Sequence, residues 1–123
     1  MKKPLILVVE DDDWLAEQYG RVLTRAGYGT TYVLNALDAM RLIEDKIPDV
    51  IILDVLLTGS TAFALLNELQ SYDDTGKIPI IICSNLGKDL SLNDLEPYGV
   101  KKILDKTEMV PDDIIASIRS VLL

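Results

Sequence analysis

Short apolar runs of strand length alternate along this chain with segments whose apolar residues recur at helical spacing. Leu5 to Val9, Val50 to Leu53 and Pro79 to Cys83 are almost wholly apolar. Runs of that length without polar alternation predict strands buried on both faces, as in a parallel sheet. Thr30 to Leu34 and Lys101 to Leu104 predict two more strands, but these carry Thr, Tyr and Lys. Between the strands, Leu15, Tyr19, Val22, Leu23 and Ala26 mark one helix, with Asp12 or Asp13 placed to cap its start and Gly27 to end it. Asn35 caps a second, with Ala36, Ala39, Met40 and Ile43 on one face and Pro48 just past its end. Ala62, Leu65, Leu66 and Leu69 mark a third, capped by Ser60 or Thr61, and Ser71 to Lys77 follows as a polar loop. Lys88 to Leu95 reads as a short, irregular helix broken by Pro97 and Gly99. Pro111 opens the last one, with Asp112 and Asp113 at its positive end and a stripe of Ile114, Ile115, Ile118, Val121 and Leu122.

A strand–helix unit repeated five times demands a mainly parallel sheet with right-handed crossovers. The three apolar strands belong at its centre and the two polar ones at its edges. The order 2-1-3-4-5, flanked by five helices, satisfies both conditions. It is the flavodoxin-like arrangement, and it sets the ends of the first and third strands side by side, where such sheets place their chemistry.

The 123 residues suffice for one domain, residues 1–123, with a substantial core. Twenty acidic against twelve basic residues give a formal charge of -8, which argues against a nucleic-acid-binding face. Neither a signal peptide nor a run long enough to span a bilayer is legible, so a cytoplasmic protein is expected. Without histidine, imidazole acid–base catalysis is excluded, and the single Cys83, in an apolar run, reads as a small core residue.

The chemistry gathers at the strand ends. Glu10 and Asp11 close the first strand and Asp54 the third. Three carboxylates in one crevice repel, so either a proton or a cation must be taken up. An all-oxygen donor set favours a hard ion, with Mg²⁺ the natural candidate. Ser84 ends the fourth strand and Lys106 follows the fifth, so a hydroxyl and an ammonium face the same crevice. Taken singly, each residue is a cap, a turn or a surface group; together they can stabilise a phosphoryl group, whose charge spreads over three oxygens.

In these segments the chain resembles the CheY-like receiver domain of bacterial two-component response regulators. The matching pieces are Leu5 to Asp12, Pro48 to Asp54, Ile78 to Ile81 leading to Ser84, and Gly99 to Lys106. The resemblance implies Asp54 as acceptor of a phosphoryl group from a sensor histidine kinase or phosphotransfer protein. It implies Mg²⁺ held by Glu10, Asp11, Asp54 and the backbone carbonyl of Leu56. Ser84 would be the switch hydroxyl and Lys106 the cationic partner of a phosphoryl oxygen. The output would be a downstream protein bound by the face of the fourth helix, fifth strand and last helix, including Leu90, Leu95, Lys101 and Lys102. It implies a signalling switch that catalyses only its own phosphotransfer and slow autodephosphorylation. Self-association through the fourth-helix face is left open, and Leu123 is where such domains often join an output domain.

The sequence departs from the family pattern at several positions. Ile103 stands where the family has Tyr or Phe, which places the coupling from Ser84 to the fifth strand in question. Thr107 and Thr58 replace prolines, Thr61-Ala62 replaces Asp-Gly, and Asn85 replaces a small residue beside the switch position. A phosphorylation-independent interaction module is the competing function. A cofactor binder is a weaker alternative, because an acidic run follows the first strand where a phosphate-cradling loop would be needed.

Overall fold

The computed structural model describes residues 3–56 and 62–122. Its elements alternate as β1 (Leu5–Val9), α1 (Asp13–Arg25), β2 (Gly29–Val33), α2 (Ala36–Asp45), β3 (Val50–Leu53), α3 (Ala62–Gln70), β4 (Ile80–Ser84), α4 (Leu92–Leu95), β5 (Val100–Asp105) and α5 (Pro111–Leu122). The strands form one parallel sheet in the order β2-β1-β3-β4-β5, as the polarity of the strands required. Side-chain alternation along the central strands divides the core in two. Leu7, Val9, Ile51, Leu53, Ile80 and Ile82 face α2 and α3. Ile6, Val8, Ile52, Ile81 and Cys83 face α1 and α5. Each central strand is therefore apolar throughout, because both of its faces are covered.

Local chemistry fixes the ends of the elements. Asp12 caps α1 by accepting from the Leu15 N–H, and Asn35 caps α2 by accepting from the Asp38 N–H. Helix α1 ends in a left-handed turn at Gly27, φ 95°, with the Tyr28 N–H donating to the Leu23 carbonyl. Asp49 ties β3 to β1: its carboxylate accepts from the Leu5 N–H at 2.7 Å and its own N–H donates to the Leu5 carbonyl at 2.8 Å. Its neighbour Val50 then falls opposite Ile6, and the strand ends follow in step.

Several expected positions shift. β2 and β4 each lie one residue from their predicted limits, and β5 is longer at both ends. Ala26, expected inside the apolar stripe of α1, is the exposed C-cap, and Ala16 is buried instead. Leu122 is exposed at the end of α5, while Ser117 is buried. The predicted irregular helix becomes 3₁₀ turns at Gly87–Asp89 and Glu96–Tyr98 around the four-residue α4, which ends at Leu95 ahead of Pro97, and Pro97 lies inside the second turn. Proline suits the first residues of a helical turn, whose N–H groups lack partners in any case. Leu95, assigned to the output surface, is buried against the core. The Ser71 to Lys77 loop is less polar in its packing than in its composition. Thr75 is buried and its hydroxyl donates to the Leu69 carbonyl near the end of α3. The Ser60 or Thr61 cap and the Thr58 and Thr61 departures lie outside the described residues.

Candidate functional site

The register of the sheet brings the acidic residues together. Val9 pairs with Leu53, so Glu10 and Asp54, one residue further on, emerge side by side from the ends of β1 and β3. Both lie on the α1/α5 side of the sheet, because Val8 and Ile52 before them do. Glu10 is 2% exposed and Asp54 6% exposed. Carboxylate oxygens of Glu10, Asp11 and Asp54 lie within 4.8 Å of one another. Sequence reasoning placed these three in one crevice, and the structure does the same.

A cation already balances part of this charge. Lys106 Nζ donates to Asp54 Oδ2 at 2.7 Å and also to Glu10 Oε1. Its side chain is 11% exposed, so the ammonium sits in the crevice rather than in bulk water. Burial pushes the Glu10 carboxyl above its ordinary value, and the Lys106 ammonium pulls it part of the way back. Burial works against the Lys106 ammonium, but its bonds to the two carboxylates outweigh that and raise its pKa. The remaining oxygens are held from the backbone: Asp54 Oδ1 accepts from the Leu56 N–H at 3.0 Å, and Glu10 Oε2 from the Asp12 N–H at 3.2 Å.

Ser84 is fully buried at the end of β4 and lies beside the cluster rather than in it. Its Oγ accepts from the Leu86 N–H at 3.1 Å, and among the described residues no hydrogen bond joins it to Asp54. Its carbonyl accepts from the Lys106 N–H at 3.1 Å, which couples the backbone of the two residues. Immediately beyond, Gly87 packs backbone to backbone on β5. A Cβ there would lie 2.8 Å from the Asp105 Cα and 3.0 Å from the Leu104 carbonyl oxygen. No side chain fits that gap, so glycine is needed for closeness of approach. Ile103 is half-buried against the larger core cluster, as are Leu90, Leu92 and Tyr98. Asn85 is exposed.

Two residues near the site were not singled out as part of it. Cys83 continues the register as the neighbour of Asp54 on β4, fully buried, and burial pushes its thiol up to about 12. It is a neutral wall of the crevice, and its apolar run signalled burial but not that neighbour. Tyr19, read only as a core position, covers the same face from α1.

The donor set fits a hard divalent cation. It is all oxygen, it lies within the reach of one ion, and an ammonium stands where positive charge is required. A family model described as the response regulator receiver domain matches residues 6–119. The chain belongs to that family.

The receiver domain's relatives and structural neighbours agree. Over 118 residues, covering 95% of this chain, it is 31% identical to the phosphate regulon transcriptional regulatory protein PhoB of Pseudomonas aeruginosa, of which the match covers 51%. It is 29% identical over 89 residues, 72% of this chain, to the transcriptional regulatory protein AfsQ1 of Streptomyces coelicolor, covering 38% of that protein. The chain thus spans between about a third and a half of the curated relatives it matches. A putative response regulator from Chloroflexus aurantiacus superposes with a TM-score of 0.85 at 27% identity, covering 98% of both chains. The receiver domain is a signalling module rather than a conventional enzyme. No helix among the described residues is long and apolar enough to cross a membrane. The expected absence of nucleic-acid contacts concerns this acidic segment alone, because a matched relative, from Synechocystis, is a DNA-binding regulator of which the chain covers 35%.

Proposed function

We propose that this receiver domain accepts a phosphoryl group on Asp54 from a phosphohistidine of a sensor kinase or phosphotransfer protein, and that it does so with Mg²⁺. Glu10, Asp11, Asp54 and the carbonyl of Leu56 would hold the ion, which supplies neutralisation of charge on the phosphoryl oxygens. The chain's own residues do the rest. Asp54 Oδ2, now bonded to Lys106, is the oxygen that attacks phosphorus as the bond from phosphorus to the donor's histidine nitrogen breaks and the imidazole leaves, while Oδ1 stays oriented by the Leu56 N–H. The Lys106 ammonium moves from the carboxylates to a phosphoryl oxygen. Ser84 releases the Leu86 N–H and turns its hydroxyl to another oxygen. That exchange carries the signal, because the Ser84-to-Gly87 segment rests directly on β5. The new charge biases an equilibrium between two arrangements of this segment and of the face made by α4, β5 and α5, where a downstream protein would bind.

The observation that carries this reading is the buried ammonium shared by two carboxylates from adjacent strand ends. A module working without phosphorylation would not need to keep that complete set together. Dephosphorylation is a separate, slow step in which water attacks the phosphorus, the bond from phosphorus to the Asp54 oxygen breaks and inorganic phosphate leaves, with the exposed Asn85 at the edge of the water's approach. Beryllofluoride with Mg²⁺ tests the assignment. The wild-type protein should bind it and shift the amide resonances of β4 and β5, and Asp54→Asn should show no shift. Equal responses in both proteins would reject Asp54 as the acceptor.

A further inference from the structure

Among the described residues, the Tyr19 hydroxyl is a buried side-chain polar atom with no hydrogen-bond partner. The residue is only 5% exposed. A buried O–H without an acceptor costs stability, and phenylalanine or leucine would fill the same space without that cost. The position of the ring indicates what the hydroxyl is for. Tyr19 lies in the second turn of α1, which packs on β1 and β2, and helical side chains lean back toward the helix N-terminus. Here that direction leads toward the strand ends and the crevice. Glu10, Asp54 and Cys83 stand there in one row across the sheet, on the face that Tyr19 covers. Burial opposes ionisation of the phenol most strongly, and Cys83, Glu10, Asp54 and Asp12 are near enough to oppose it further.

Each oxygen of Glu10 and Asp54 already has a donor: Lys106 serves one on each residue, and the backbone of Asp12 and of Leu56 the others. The ammonium is thus bonded to a Glu10 oxygen on the face that Tyr19 covers. Resting on the phosphoacceptor reading given above, we propose that Tyr19 is a positioning residue of the acid site, its hydroxyl donating to Glu10 once Lys106 has moved off that carboxylate. Glu10 is the partner because it directly follows β1, one of the two strands on which α1 packs, and because Asp54 must keep its oxygens for the phosphoryl group and the cation. The unpartnered hydroxyl weighs against the Lys106-bridged state, and the new bond favours the state in which a divalent cation sits among Glu10, Asp11 and Asp54. Tyr19 would therefore strengthen cation uptake without touching the cation.

Tyr19→Phe separates this role from packing, since it removes one oxygen and leaves the ring. Thermal melts in chelator and calorimetric titration with Mg²⁺ are run on both proteins. Without cation the variant should melt at or above the wild-type midpoint. Its Mg²⁺ affinity should fall about tenfold, as for the loss of one hydrogen bond to a charged group. Equal Mg²⁺ affinity in the two proteins overturns the proposal and leaves the phosphoacceptor reading intact. A lower midpoint for the cation-free variant also overturns it, because the hydroxyl would already have a partner. A wild-type protein that takes up no Mg²⁺ overturns both.

Discussion

Replacing Lys106 by methionine tests how strongly the acid cluster depends on its internal cation. Lys106 is bonded to Glu10 and Asp54, which are 2% and 6% exposed. Methionine keeps most of the aliphatic stem and removes the charge, leaving two buried carboxylates face to face. Removing one partner of a buried ion pair costs about 3–5 kcal/mol. The lower end applies here, for two reasons. The Lys106 side chain keeps some contact with solvent, at 11% exposed. The abandoned carboxylates can also share a proton, since one of two crowded acids raises its pKa rather than remain charged. A cost of about 3 kcal/mol, set against an unfolding entropy of about 0.26 kcal/mol/K for a chain of 123 residues, lowers the melting midpoint by about 12 °C. Calorimetric melts in chelator measure it, with Lys102→Met on the exposed part of β5 as the control. Millimolar Mg²⁺ should then recover more stability in the variant than in the wild type, because no ammonium has to be displaced. A Lys106→Met midpoint within about 3 °C of the wild type, with no extra gain from Mg²⁺, would refute the reasoning, since that corresponds to less than about 1 kcal/mol.

Other predictions follow from the same geometry. Glu10 has a raised pKa in the fold, so it favours folding while protonated; that contribution is complete below its ordinary value of 4.5 and is lost as pH rises through the raised value. Glu10→Gln should therefore gain on the wild type in cation-free melts as pH rises above 4.5, and parallel curves for the two proteins would contradict the shift. Gly87→Ala forces a methyl group to within 2.8 Å of the Asp105 Cα and should cost about 1–3 kcal/mol in urea unfolding, whereas a neutral result would mean that the turn after β4 is free to lift. Lys88 and Glu108 form an ion pair that is more than half exposed on each side, so Lys88→Ala should change stability by less than about 1 kcal/mol, and a larger loss would give that clasp a structural weight it lacks here.

The strand order, the burial of both sheet faces and the meeting of Glu10, Asp11 and Asp54 were legible because each follows from local polarity and one topological rule. Wholly apolar strands can only be central, and once β1 and β3 are neighbours their terminal carboxylates must meet. Lys106 was legible as a member of the site for the same reason, but its double attachment to Glu10 and Asp54 was not. That depends on the reach of a flexible side chain into a crevice whose depth no pattern encodes. The region from Gly87 to Tyr98 was blurred because its apolar residues are few and its turns tighten to 3₁₀ geometry, so helical spacing does not hold over any useful length. Leu95 went to the wrong side for that reason. Tyr19 was placed in the core correctly, yet periodicity treats its ring like a leucine and is blind to the hydroxyl at its tip. Cys83 likewise looked inert. It is buried as expected, but only the pairing of β3 with β4 reveals Asp54 as its neighbour.

The most direct test of the central claim is the intact mass of the protein after incubation with a small phosphodonor and Mg²⁺. The account predicts a gain of one phosphoryl group on the wild type, none on Asp54→Asn, and loss of the gain when the cation is chelated beforehand. An unchanged wild-type mass, or an equal gain on Asp54→Asn, would contradict it.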